Sequence, residues 1–267
     1  MLPSVPDPTD DMIFDSLVTH ARAPGAPHTQ FRSLASAHQY RHLYRMSRRH
    51  LRPGAEVLDW GTGNGHFAYF LTRTGQRVTG YTMEGASYAG WLGDPYERFV
   101  TAPDSEPVRL PFPDASFDAV GSVGVLEHVR EGGGNEASSL AEIARVLRPG
   151  GVFLCYHLPC RASLIETVAR LAGGRHQHVY RYTRGDVERL MRGAGLELVE
   201  CATYGAVPRN VLGCIPGPLA RSRAFAHAID VVDDALGLLL GPACQNRRVV
   251  AKKRTNGTPR SSALLKN

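Results

Sequence analysis

Twelve consecutive residues, Glu56-Val57-Leu58-Asp59-Trp60-Gly61-Thr62-Gly63-Asn64-Gly65-His66-Phe67, constrain this chain more than any other stretch. Val57 and Leu58 read as a short buried strand, the glycines as a turn, and the apolar density from Phe67 to Leu71 as one face of a helix. Alternate glycines let backbone approach a ligand where a Cβ would clash, and the helix that follows presents unpaired N–H groups. The unit is a nucleotide or nucleoside cradle. Its G-x-G-x-G spacing brings the third glycine one residue too early for the dinucleotide fingerprint G-x-G-x-x-G, and the lysine of a P-loop is absent. Neither NAD nor ATP is therefore the first ligand to expect.

With Asp59 at the strand end and Gly61, Thr62, Gly63 and Gly65 in the turn, the segment resembles motif I of the class I S-adenosylmethionine-dependent methyltransferases. Further matches follow. Arg77 to Thr82 reads as a second strand, and the family usually ends this strand with an acid that accepts from both ribose hydroxyls; here Thr82 holds that place, with Met83 and Glu84 next. A threonine cannot make a bidentate charged contact, so Glu84 is the alternative carboxylate. Threonine at this place also resembles relatives that act on fatty acyl chains and prenylated rings. Leu110-Pro111-Phe112-Pro113-Asp114 to Val120 resembles the family's entry to its fourth strand, and Glu106, four residues before Leu110, matches the acid that accepts from the adenine amine. Gly121, Ser122, Val123 and Gly124 match the stretch under the reacting methyl, where small residues leave room. Arg148-Pro149-Gly150-Gly151 matches the entry to strand five, with the proline ending a helix from about Glu136.

The resemblance covers residues 50 to 205 plus a last strand at 247 to 253. It implies a Rossmann-like α/β fold, a seven-stranded sheet with helices on both faces, and S-adenosyl-L-methionine as cofactor. Residues 1–50 are expected to form an N-terminal helical cap, starting with a short helix at Met12 to Leu17. Residues 51–253 are expected to form the methyltransferase domain, with substrate-binding insertions near 157–180 and 206–243, and 254–267 a flexible tail. Residues Ala86 to Phe99 read as a short helix and a loop. In the second insertion one helix, Arg221 to Leu240, carries Phe225, Ile229, Val232, Leu236 and Leu239 at spacings of three and four, which predicts that this face is buried. Thr183 is expected to cap the helix beginning beside Asp186.

A methyl group on a sulfonium is already electrophilic, so the protein's task is to align an acceptor and take its proton. Histidine suits that task near neutrality. His157, at the end of strand five, is the first candidate, His128 the second, and His176 and His178 follow. Tyr40 and Tyr44, four residues apart, read either as a cover over the acceptor or as ordinary helix packing, and Tyr180 closes the first insertion.

The formal charge of +6 is concentrated in Arg41 to Arg52 and in the tail from Lys252. Such charge attracts nucleic acid or lies on a solvated helix face, so two acceptor classes stay open: a small molecule, and a nucleic acid or protein. A small, partly apolar acceptor is preferred, because no nucleic-acid module is recognisable. Five cysteines without a CxxC pair argue against a disulfide scaffold and give no zinc spacing, so no metal and a reduced cytoplasmic setting are expected. No stretch has the length of a membrane span. The sequence leaves the oligomeric state open.

Overall fold

The computed structural model describes residues 9–22, 29–83, 90, 92–102, 106–171, 178–215 and 217–255. Seven strands form one sheet: β1 (Glu56–Trp60), β2 (Arg77–Met83), β3 (Arg98–Ala102), β4 (Phe117–Val123), β5 (Leu147–Pro159), β6 (Leu196–Tyr204) and β7 (Asn246–Lys253). Their spatial order is β3-β2-β1-β4-β5-β7-β6, and β7 runs antiparallel to both of its neighbours. The helices are α1 (Asp10–Ala21), α2 (Leu34–Ala37), α3 (Arg41–His50), α4 (His66–Arg73), α5 (Glu136–Val146), α6 (Leu164–Leu171), α7 (Arg184–Gly193), α8 (Gly217–Ala220) and α9 (Arg223–Leu240). This is the expected Rossmann-like sheet. The strand order reverses between β1 and β4, and in such sheets ligands bind beyond the carboxyl ends of the strands at that point. No helix among the described residues is long and apolar enough to cross a membrane.

Side chains alternate along β1, so Val57 and Leu58 enter different cores. Val57 packs with Leu43, Tyr44 and Phe70 of α3 and α4, whereas Leu58 packs with Leu140, Ile143, Val187 and Met191 of α5 and α7. Helices therefore cover both faces. Glycines permit two close approaches. A Cβ on Gly121 would stand 2.3 Å from Phe67 Cε1, and one on Gly80 would stand 2.8 Å from the rings of Tyr96 and Phe99. The room at Gly121, expected to serve the methyl group, is thus filled by Phe67. The room at Gly80 seats Tyr96 so that its hydroxyl donates to Asp59 Oδ2 at 3.1 Å.

Several boundaries differ from the expectations. The first helix is a full 12 residues, Asp10–Ala21, and is capped by Thr9, so it extends past the expected Met12 to Leu17 at both ends. A third strand occupies Arg98–Ala102, starting at the end of the Ala86 to Phe99 stretch that reads locally as helix and loop, because pairing with β2 supplies hydrogen bonds that local propensity does not encode. On α9 the buried residues are Ala226, Asp230 and Asp233, while Val232 and Leu239 lie exposed. The apolar spacing holds at Phe225 and Ile229, which pack half-buried against the core, and fails at Val232, Leu236 and Leu239, which lie exposed. The acids go inside because Arg41 and Arg209 are buried there: Arg209 donates to Asp230 Oδ1 at 2.8 Å, and Arg41 donates to Asp233 Oδ2 at 2.9 Å. The Thr183 cap forms as expected, with Asp186 accepting from the Thr183 N–H at 2.8 Å.

Candidate active site

Two cavities meet at Gly61, beyond the carboxyl ends of β1 and β4. The first, about 360 Å³, is lined by the turn from Gly61 to Asn64 together with Asp59, His66, Val123, Gly124, Tyr40 and His157. The second, about 210 Å³, is lined by Trp60, Tyr81, Thr82, Met83, Pro107 and His128. The turn owes its shape to left-handed glycines, with φ of +75°, +50° and +75° at Gly61, Gly63 and Gly65. Gly61 N–H donates to the Tyr81 carbonyl at 2.8 Å, and Gly65 N–H to the Thr62 carbonyl at 2.8 Å. A Cβ on Gly63 would meet only the Gly61 carbonyl, at 4.0 Å, so the space above it belongs to the cavity.

Asp59 is 2% exposed, and burial pushes its carboxyl up to about 7 despite the hydrogen bond from Tyr96. A cationic group in the cavity would return it to the carboxylate. Thr62 Oγ1 is buried without a hydrogen-bond partner among the described residues. A buried acid, an unpaired hydroxyl and an open glycine cradle fit the amino-acid end of a sulfonium nucleoside, and the Thr82 and Met83 side fits its nucleoside end. Asp59, Gly61, Thr62, Gly63, Thr82, Met83 and Val123 all line the two cavities. Gly65 shapes the turn and starts α4. Ser122 is fully buried within the sheet and lines neither cavity. Glu106 is exposed beside Pro107, close enough that its charge helps raise the Tyr81 hydroxyl, after burial itself. Glu84 lies outside the described residues.

Of the histidines proposed from the sequence, His157 is the one that lines the first cavity, where His66, not proposed, also lies. A register shift between Cys155 and Leu158 in the β5–β7 pairing places His157 at φ +64°, a left-handed conformation costly for a residue with a Cβ. The Tyr204 hydroxyl anchors it twice, accepting from the His157 N–H at 3.0 Å and pairing with Nδ1 at 2.9 Å. Tyr40 lies across the same cavity, 5.0 Å from the His157 ring and 4.1 Å from the His66 ring. Burial, with a smaller contribution from His178, lowers the His157 pKa to about 3.

The other proposed side chains are distributed differently. His128 lines the second cavity, its Nδ1 bound to Glu131 Oε2 at 3.0 Å. His178 pairs through Nδ1 with Glu166 Oε1 at 3.0 Å, and His176 lies outside the described residues. Tyr44 is fully buried, stacked on Phe70 at 3.9 Å and on Phe14 at 4.9 Å. It is a core residue, and the packing alternative holds for it. Tyr180 sits under Arg130, 4.7 Å from the guanidinium, in a separate groove with Arg161 and Arg189. It does not meet Tyr40. Sequence reasoning missed Tyr204 and Tyr96, which reach the site only through strand pairing and through the glycine at position 80.

Comparison with known proteins agrees with this fold. The family model described as a methyltransferase domain matches residues 58–155. A protein of Encephalitozoon cuniculi named as a methyltransferase is 32% identical over 151 residues, which cover 55% of this chain and 67% of that protein. The chain belongs to the class I S-adenosylmethionine-dependent methyltransferases. Demethylmenaquinone methyltransferase of Symbiobacterium thermophilum is 30% identical over 129 residues, 45% of this chain and 50% of that one. The chain spans between 32% and 50% of the length of the first curated relatives it matches. Among solved structures, the [4+2]-cyclase SpnF superposes with a TM-score of 0.56 at 18% identity, covering 92% of this chain and 94% of that one. A methyltransferase fold thus also carries a protein described as a cyclase, so the reaction must be argued from the site.

The depressed His157 pKa gives a stability prediction. Its folded value lies below the unfolded value of about 6.5, so the unfolded chain takes up the proton first. Stability from this group is complete above about pH 6.5 and is lost as pH falls toward 3, by about 1.4 kcal/mol per pH unit. Thermal melting from pH 7 to 4 should show a steep loss of Tm that is shallower in His157→Gln. Parallel pH slopes in the two proteins would show that His157 is protonated in the folded state as readily as in the unfolded one.

Proposed function

We propose that the chain transfers a methyl group from S-adenosylmethionine to a small, at least partly apolar acceptor held in the first cavity between Tyr40 and His157. The observation that carries this reading is the bulge that turns His157 onto the glycine cradle, with Tyr204 fixing its ring. When bound, the cofactor supplies a methyl group already activated by its sulfonium. Asp59 and the Gly61–Gly63 backbone would hold its amino-acid end, and Thr82 and Met83 its nucleoside. With Nδ1–H donating to the Tyr204 oxygen, His157 keeps the Nε2 lone pair for the acceptor's proton. A pKa near 3 makes it a weak base at rest. The acceptor's proton becomes strongly acidic as its oxygen or nitrogen bonds to carbon, so a weak base suffices when the proton leaves late.

The acceptor class rests on three supports. The cavity is roofed by an aromatic ring, and the Symbiobacterium relative is named for a quinone substrate. The basic stretch Arg41 to Arg52 is partly engaged within the chain, Arg41 with Asp233, Arg48 with Asp10 at 2.8 Å and Arg49 with Glu200 at 3.7 Å, while Arg45 and Arg52 lie exposed.

Two measurements test the reading. S-adenosylmethionine and S-adenosylhomocysteine should bind in calorimetry, whereas NAD and ATP should bind far more weakly. In methyl-transfer assays on phenolic, amine and lipid-like acceptors, His157→Ala should cut turnover by roughly 10²–10⁴-fold, the usual worth of a general base. Full turnover in that variant removes the base. Nucleic-acid binding that falls about a thousandfold between about 50 and 200 mM salt, with methylation of the polymer, would replace the small-molecule acceptor by nucleic acid.

A further inference from the structure

Between the two cavities stands a group of side chains that the glycine cradle does not use. Glu127, His128 and His178 each offer one ligand atom, and these atoms lie within 4.8 Å of one another. Their separation of 50 residues along the chain hides the group from any reading of spacing, which led to the expectation of no metal.

Three features make this more than an accidental cluster. Glu127 is 3% exposed, and its Oε2 has no hydrogen-bond partner among the described residues. A buried, unpaired carboxylate oxygen is costly unless something positive reaches it. Both histidines, in turn, are held at Nδ1 by carboxylates: His128 by Glu131 at 3.0 Å and His178 by Glu166 at 3.0 Å. Carboxylates at Nδ1 orient imidazoles and strengthen Nε2 as a donor to a metal. The group also faces the chemistry, since a Cβ on Gly124, in the wall of the first cavity, would stand 3.8 Å from Glu127 Oε1, and His128 lines the second cavity. The other grouping of this kind among the described residues, His38, His227 and Asp230, is already neutralised by Arg41 and Arg209 against Asp230.

We infer that Glu127, His128 and His178 form a binding site for one divalent first-row transition-metal cation. Two imidazoles and one carboxylate suit zinc, manganese, iron or cobalt, and three protein ligands leave positions open. The adjustment that brings ligand atoms within 4.8 Å of one another onto one cation falls to His128 and His178, the more exposed members. The open positions take oxygens of the acceptor, and a cation there lowers the pKa of a coordinated hydroxyl. That compensates for a weak base at His157. The acceptor class narrows to molecules with two adjacent oxygen donors, such as vicinal hydroxyls on a ring. This last step rests on the function proposed above, whereas the cation site rests on its own geometry.

The test uses the full chain, stripped with a chelator and titrated separately with Zn²⁺, Mn²⁺ and Co²⁺. One equivalent should bind, and Co²⁺ should give a visible d–d spectrum. Glu127→Gln and His178→Gln, each checked for an unchanged melting profile, should weaken binding at least a hundredfold. Glu166→Gln, which removes only the orienting carboxylate, should weaken it by about 10–100-fold. His227→Ala should leave binding unchanged. Absence of stoichiometric binding, binding indifferent to the Glu127 and His178 variants, or loss of binding in His227→Ala would each overturn the site. S-adenosylhomocysteine titrated in parallel separates the two readings: retained nucleoside binding without cation binding removes the metal site alone. Loss of both removes the proposed function as well.

Discussion

Gly63→Ala should lower the affinity for S-adenosylmethionine at least a hundredfold, about 2.8 kcal/mol, while the protein still folds. Two glycines of one turn differ in what surrounds them. At Gly61 a Cβ would stand 2.5 Å and 2.9 Å from the two methyl carbons of Val125, so that glycine is required by the protein itself. Gly63 has no such neighbour. Its Cβ would enter the cavity that the cradle encloses, and the protein would bear only the left-handed backbone of an alanine at φ +50°, about 1–2 kcal/mol. Calorimetric titration beside thermal melting checks both halves. Gly61→Ala should lose stability and affinity together, and Gly63→Ala mainly affinity. Unchanged affinity in Gly63→Ala would place the cofactor away from this turn.

What the sequence revealed follows the range of the interactions involved. The strand, turn and helix around Gly61 lie within twelve residues, and the Thr183 cap within four, so both could be read directly. Features made by distant pairing could not. His157 was identifiable as a candidate, but its aim comes from a bulge against β7 and its anchor from Tyr204, 47 residues away. Tyr40 and Tyr44 look alike at a spacing of four, yet only Tyr40 reaches the cavity. Tyr40 ends a 3₁₀ turn, His38–Tyr40, and precedes α3 with φ −91° and ψ 1°, so the two rings do not share one helical face. On α9 the apolar period located burial at Phe225 and Ile229 but not at Val232, Leu236 and Leu239, because ionic pairing of Asp230 and Asp233 decides which residues go fully inside.

That pairing yields the other large effect: Asp233→Ala should destabilise the protein by about 3–5 kcal/mol, the usual result of removing one partner from a buried ion pair. Asp233 Oδ1 accepts from the N–H groups of Ala206 and Val207, each at 2.8 Å, and Oδ2 accepts from Arg41 at 2.9 Å and Arg209 at 3.3 Å. Both guanidiniums are almost wholly buried, so neither can turn to water when the acid is removed. Asp234, also paired with Arg41 but 42% exposed at its side chain, provides the control; Asp234→Ala should cost under about 1 kcal/mol. Denaturant unfolding of the three proteins measures the contrast, and equal losses at the two positions would mean that burial does not set the strength of the network. The consequence extends to the site. Arg41 directly follows Tyr40, and Arg209 also donates to the Ala35 carbonyl at 3.0 Å, so the network fixes the approach of α2 and α3 to α9 and with it the ring over the first cavity. Asp233→Asn, which keeps the shape and weakens the charge pairing, should therefore fold, bind S-adenosylhomocysteine normally, and raise KM for the acceptor more than it lowers kcat. An unaltered KM in that variant would detach Tyr40 from acceptor binding.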